Sequence, residues 1–176
     1  MRRAVYLLGA VLASSLALAW AQGAAPTDPQ IAAIVVTANQ VDIDAGKLAE
    51  HKAHAAAVKA FAKRMVTDHT GVNKAAVGLA QKLHLTPESN PTSASLKQGG
   101  EQNLATLRGL SGKAFDKAYI DHEVAYHQAV LDAVDKVLIP SAQNAQLKAL
   151  LVKVRPAFVD HLHHAKMIQS TLAGKM

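Results

Sequence analysis

From Asp28 onward the apolar residues recur at alternating spacings of four and three, and this period constrains the fold more than any other feature. In the last segment Leu147, Leu151, Val154, Phe158, His161, Ala165, Ile168 and Leu172 follow it without a break. Such spacing keeps one stripe of a helix turned toward a core, and it is the only strong period along the chain. A second segment repeats it through Val58, Ala62, Met65, His69, Val72, Ala76, Leu79 and Leu83. A third does so through Ile120, Val124, His127, Leu131, Val134 and Leu138, beside a competing stripe of Tyr119, Glu123, Tyr126 and Val130. The first segment offers two stripes. One is Ile31, Val35, Ala38, Asp42, Ala45 and Ala49; the other, Ile34, Ala38, Val41, Ala45 and Leu48, turns Asp42 toward the rim.

Local signals place the boundaries. In "TDPQ", Asp28 reads as an N-cap with Pro29 at the first helical position; Ser111 and Ser141 read as caps of later helices, and Pro140 closes the third. The predicted long helices span about 28–52, 56–84, 112–138 and 141–172. "TPESNPTSAS", rich in Pro, Ser and Thr, reads as a loop, and a short helix bearing Leu104, Leu107 and Leu110 follows Gly99 and Gly100. Tight turns inside each pair and one long crossover between pairs give an all-α, four-helix bundle whose crossover carries a short extra helix. With 176 residues, half of them apolar, one domain with a real core is expected.

The opening "MRRAVYLLGAVLASSLALAWAQ" combines Arg2 and Arg3, an apolar run and Ala19-Trp20-Ala21. That is the pattern of a secretory signal peptide over 1–21, cleaved near Ala21, which leaves 22–176 as the domain and predicts a periplasmic or otherwise exported protein. The competing reading is a retained membrane anchor, because the apolar run approaches the length of a span. Removing Arg2 and Arg3 takes the formal charge from +6 to +4, since no acidic residue precedes Ala21. No Lys/Arg cluster is interleaved with aromatics, so a nucleic-acid partner is not expected. The chain has no cysteine, which excludes thiolate chemistry and a disulfide framework.

Polar residues interrupt the stripes at Asp42, His69, His127 and His161, one per long helix. Buried polar groups need partners, so one reading is a set of internal hydrogen bonds that fixes helix register. The other is a metal site, since imidazole and carboxylate suit copper, zinc or iron and bundle cores are where such ligands converge. Glu123, four residues before His127, joins the candidate ligands. Helix heights pair Asp42 with His69. From a turn at Pro140, His127 lies about 13 residues away and His161 about 21, roughly 12 Å apart at 1.5 Å rise per residue. That difference argues against one site holding all three histidines and pairs His161 with Tyr119 or His122. Asp160 with His163 and His164 reads as a set of solvated pairs.

Taken together, "VKAFAKRMVTDHTGVNKAAVGLAQKL", "AFDKAYIDHEVAYHQAVL" and "VRPAFVDHLHHAKMI" resemble the DUF4142 family of exported bacterial proteins, over roughly Pro29 to Ile168. The family's acidic pair falls on Asp42 and Asp44, its M-x-x-D-H on Met65, Asp68 and His69, its Tyr and His eight apart on Tyr119 and His127, and its P-x-x-x-(D/E)-H on Pro156, Asp160 and His161. The resemblance implies a ferritin-like helical bundle with no established chemistry. A di-iron centre of the ferritin type needs two Glu-x-x-His motifs, and this chain has neither. The leading expectation is a non-enzymatic exported bundle whose core His and Asp groups are structural or bind a transition metal, acting in envelope stress or metal handling. Two others stand beside it. One is a metal-dependent oxidase or peroxide-consuming enzyme built on Glu123, His127, His69 and His161; the other is an envelope module whose basic, His-bearing last helix meets anionic lipid or a partner protein.

Overall fold

The computed structural model describes residues 25–174, and the expected signal peptide lies outside them. The described residues form five helices and no strand: α1 (Asp28–Lys52), α2 (Ala56–Lys82), α3 (Pro91–Arg108), α4 (Gly112–Ala133) and α5 (Ala145–Ala173). A π-helical turn, Val134–Leu138, and a short α-turn, Ile139–Ser141, carry α4 onward to the α4–α5 connection. Among the described residues no helix is long and apolar enough to cross a membrane.

Three boundaries differ from the sequence reading. α1 is capped at Thr27, whose backbone N–H donates to Gln30 Oε1 (3.1 Å). Asp28 accepts instead from the backbone N–H groups of Gln143 and Asn144 (2.9 and 2.8 Å), tying the start of α1 to the α4–α5 turn. α5 begins at Ala145 rather than near Ser141, because Asn144 Oδ1 accepts from the N–H groups of Gln146 and Leu147. The crossover helix is eighteen residues long and starts inside the predicted loop, where Asn90 caps it through Ser93 N (3.0 Å). It runs straight through Gly99 and Gly100. A Cβ at Gly100 would stand 2.7 Å from Val41 Cγ2, so glycine is what lets α3 lie close on α1.

Packing closes a ring. α1 lies along α2 and α4 along α5, while α2 meets α5 and α1 meets α4; α3 covers the remaining face of α1. α1 is therefore buried on several sides, with Ile31, Ile34, Val41, Asp42, Ile43 and Ala45 all in the interior. This accounts for its two rival stripes: both are buried except at the half-buried Ala38 and Leu48, and Asp42 faces the core at 1% exposure. The same holds for α4, where Tyr119, Glu123 and Tyr126 are as buried as Ile120, His127 and Leu131.

Two apolar clusters occupy the ends of the ring. One gathers Phe61, Met65, Leu107, Phe115 and Ile120; the other gathers Ile31, Leu96, Val134, Leu138 and Leu151. The polar stripe positions lie between them.

Candidate metal centre

Each of the three core histidines is held by one ring nitrogen. Asn39 Nδ2 donates to Val35 O (2.7 Å), so its Oδ1 is an acceptor and takes the proton of His69 Nδ1 at 2.7 Å. His127 Nδ1 donates to the backbone carbonyl of Glu123, one helical turn earlier, at 3.0 Å. His161 Nε2 donates across the α2–α5 contact to Asp68 Oδ2 at 2.9 Å. These bonds fix the tautomers. They leave His69 Nε2, His127 Nε2 and His161 Nδ1 as lone pairs, all buried and without a hydrogen-bond partner.

The three rings converge, with centroids 5.5 Å (His69 to His127), 5.2 Å (His69 to His161) and 5.4 Å (His127 to His161) apart. One ligand-type atom from each lies within 4.8 Å of the others, and Asp42, Glu123 and His127 form a second such set. Asp42 Oδ2 stands 3.2 Å from His69 Nε2 and 3.4 Å from His127 Nε2. His161 therefore joins the other histidines instead of pairing with Tyr119 or His122. The height reasoning failed because it set the turn at Pro140. The helix continues to Ser141 and α5 starts only at Ala145, so the turn centres near 143. Moving it there lengthens one arm and shortens the other by about three residues each, which removes roughly 9 of the 12 Å.

Burial sets the protonation of the cluster. It pushes the Asp42 carboxyl up to about 8, against the lowering effect of its hydrogen bond with Glu123. Glu123 is driven well above the carboxylate range by burial and then by the charge of Asp42. Burial lowers His127 to about 3, and holds His69 well below its ordinary value with help from His127 and His161. His161 is lowered by burial too, against the raising effect of Asp68. Without a cation, burial thus disfavours the charged form of every group in the centre.

The surrounding residues divide. Tyr119 lies fully buried with its hydroxyl against Glu123, its ionisation pushed well up by burial and by that carboxylate. His122 is half-buried, stacked on Tyr126 at 5.5 Å and lowered to about 4 by burial, and makes no part of the histidine triad. Asp160 is exposed and pairs with Arg64 Nη2 (2.6 Å), not with His163 or His164. Arg64 Nε also reaches Asp68 (3.2 Å), so it links the two acids. His163 is exposed, and His164 packs its ring edge on Phe61 at 5.3 Å. Asp44 accepts from Gln40 at the surface.

Sequence reasoning missed Asn39, Arg64 and Tyr126, whose hydroxyl donates to Ala38 O at 2.9 Å. A signal for Asn39 was present: Val35, Asn39, Asp42 and Gly46 also follow the 4-3-4 spacing. Nothing in the period marks Arg64, because its role depends on a residue 96 positions later.

The chain matches the family model described as "Domain of unknown function (DUF4142)" over residues 13–168. No curated protein and no solved structure gives a significant match. With that match covering most of its length, the chain belongs to the DUF4142 family.

Proposed function

We propose that this protein binds one transition-metal ion inside an exported, ferritin-like helical bundle, with His69, His127, His161 and Asp42 as ligands. The observation that carries the reading is the convergence of three imidazoles, each with one ring nitrogen held by an acceptor and the other buried without a partner. That outer hydrogen bond is the support that metal-ligating histidines ordinarily have, from a carboxylate, a carbonyl or an amide.

Hydrogen bonding alone does not close this network. Even protonated, Asp42 Oδ2 supplies one proton for the two lone pairs at 3.2 and 3.4 Å. His161 Nδ1 is left over as well. A cation among the three imidazoles takes up their lone pairs, and Asp42 already reaches two of the three. Donors about 2.0–2.2 Å from a tetrahedral ion stand roughly 3.3–3.6 Å apart, close to the two Asp42–His spacings. Three imidazoles and a carboxylate suit zinc, copper or iron. Glu123, buried against Asp42, would then hold or release a proton beside the ion.

The ring of four long helices and the helical crossover support the ferritin-like reading, although the ligand set is not that of a di-iron enzyme. Arg2, Arg3, the apolar run and Ala19-Trp20-Ala21 support export, with a role in metal handling at the envelope.

The test is elemental analysis of residues 22–176, purified without a His-tag and exposed in turn to iron, copper and zinc. Near-stoichiometric retention, abolished in His69→Ala and in His161→Ala, is expected. If no metal is retained and both variants are merely less stable, the histidines are structural.

A further inference from the structure

A cavity of about 30 Å³ adjoins the cluster, bounded at one end by Asn39, Asp42, His69 and His127. Its other walls include Val130, Val134, Leu138, Leu151, Val154 and Phe158, and the surface it presents is apolar. Neither His161 nor Glu123 lies on its wall.

Three features make this more than loose packing. The volume exceeds the roughly 10–15 Å³ that one water-sized molecule needs, yet aliphatic walls offer a water few of the two to four polar partners that hold it. Val134 and Leu138 open and close the only π-helical turn among the described residues. Such turns are rare and frequently mark functional sites, and here the turn places both side chains on the cavity wall. The cavity ends on His69, whose ring is stacked on Phe158 at 5.3 Å and 3°, and on His127, the two residues whose Nε2 lone pairs face Asp42.

Walls of this kind select by hydration. An anion such as azide would give up its water for a surface on which no polar atom is exposed, whereas a diatomic gas gives up little. We propose that this cavity admits a small, uncharged, weakly hydrated molecule, of the class of dioxygen and nitric oxide, beside the rings of His69 and His127. The inference rests on the reading of those two residues as metal ligands.

The first experiment uses metal-free protein and dissolved dioxygen as a paramagnetic probe of methyl relaxation. The methyl groups of Val134, Leu138 and Leu151 are expected to relax several-fold faster than those of Leu107 and Ile120, which are equally buried but away from the cavity. Uniform relaxation across these core methyls overturns the proposal. The second uses protein loaded anaerobically with iron(II), its iron content measured beforehand. Nitric oxide is expected to develop its half-integer spin resonance, azide at equal concentration not to compete, and Val134→Phe to keep the iron and lose the resonance. Leu151→Phe fills the same space from α5 and serves if Val134→Phe does not fold. Competition by azide, or an undiminished resonance in a folded filling variant, overturns the proposal. Failure to retain iron removes the metal reading alone, because the metal-free relaxation experiment still decides the cavity.

Discussion

Asp42 presents one carboxyl group to two imidazole nitrogens, and its burial determines how the protein responds to pH. Its folded value of about 8 lies above its ordinary 3.8, so the folded state keeps a proton that the unfolded chain releases. The resulting stability is complete below about pH 4 and is lost as pH rises through 8. His127 works the other way: lowered to about 3, it contributes stability that is present above about pH 6.5 and lost as pH falls toward 3. Metal-free protein should therefore lose stability between pH 6.5 and 9, and Asp42→Asn should flatten that decline in denaturant unfolding. An unchanged slope in Asp42→Asn would mean that Asp42 is already ionised in the folded state. A second residue acts at one remove. Asp68 fixes the tautomer of His161, and losing such an outer partner typically costs metal affinity about 10- to 100-fold. Asp68→Ala should weaken metal by that order while the metal content at saturation is retained; equal affinity in a competition titration would show that Asp68 does not orient the ring.

At the scale of elements, two acids, the half-buried Asp28 and the buried Asp116, clamp turns to helices that are distant in sequence. Asp28 holds the α4–α5 turn, and Asp116 of α4 accepts from the N–H groups of His54 and Ala55, which lead into α2. Hydrogen bonds to a charged acceptor contribute about 1.5–3 kcal/mol each, so Asp116→Ala should cost about 3 kcal/mol or more in chemical denaturation. A loss under about 1 kcal/mol would show that water replaces the carboxylate. The close approach of α3 to α1 at Gly100 is the corresponding apolar contact. There Gly100→Ala must displace Val41, against the gain of about 0.5–1 kcal/mol that alanine gives over glycine within a helix.

Across the whole molecule, the candidate ligands come from α1, α2, α4 and α5, so one ion at this place would join four helices. Binding to the folded state alone stabilises by about 2.7 kcal/mol when free metal is 100 times Kd. The melting temperature should rise with the metal that is retained, return on chelation, and stay flat in His127→Ala. Binding should also release protons, since Asp42 must ionise to face the ion and Glu123 can release its own beside it. Calorimetry in buffers of different ionisation heat measures that release, and none would mean that the carboxylates stay protonated.

Much of this was legible in the chain. The helical class, the turn near residues 53–55, and the inward placement of His69, His127 and His161 follow from a 4-3 period that is a local property of each helix. Their meeting was not legible. It depends on where the α4–α5 turn centres, and that was decided by Asn144 rather than Ser141 as the cap and by a helix that passes Pro140. The extent of α3 was hidden for a related reason, since its glycines read as breakers until Val41 is seen to occupy the space a Cβ would need. The sequence alone determined which side chains turn inward, because facing is set by the angle per residue. Only the tertiary structure decided which of them touch, because height accumulates along each helix and a three-residue error at one turn moves a ligand by about 5 Å.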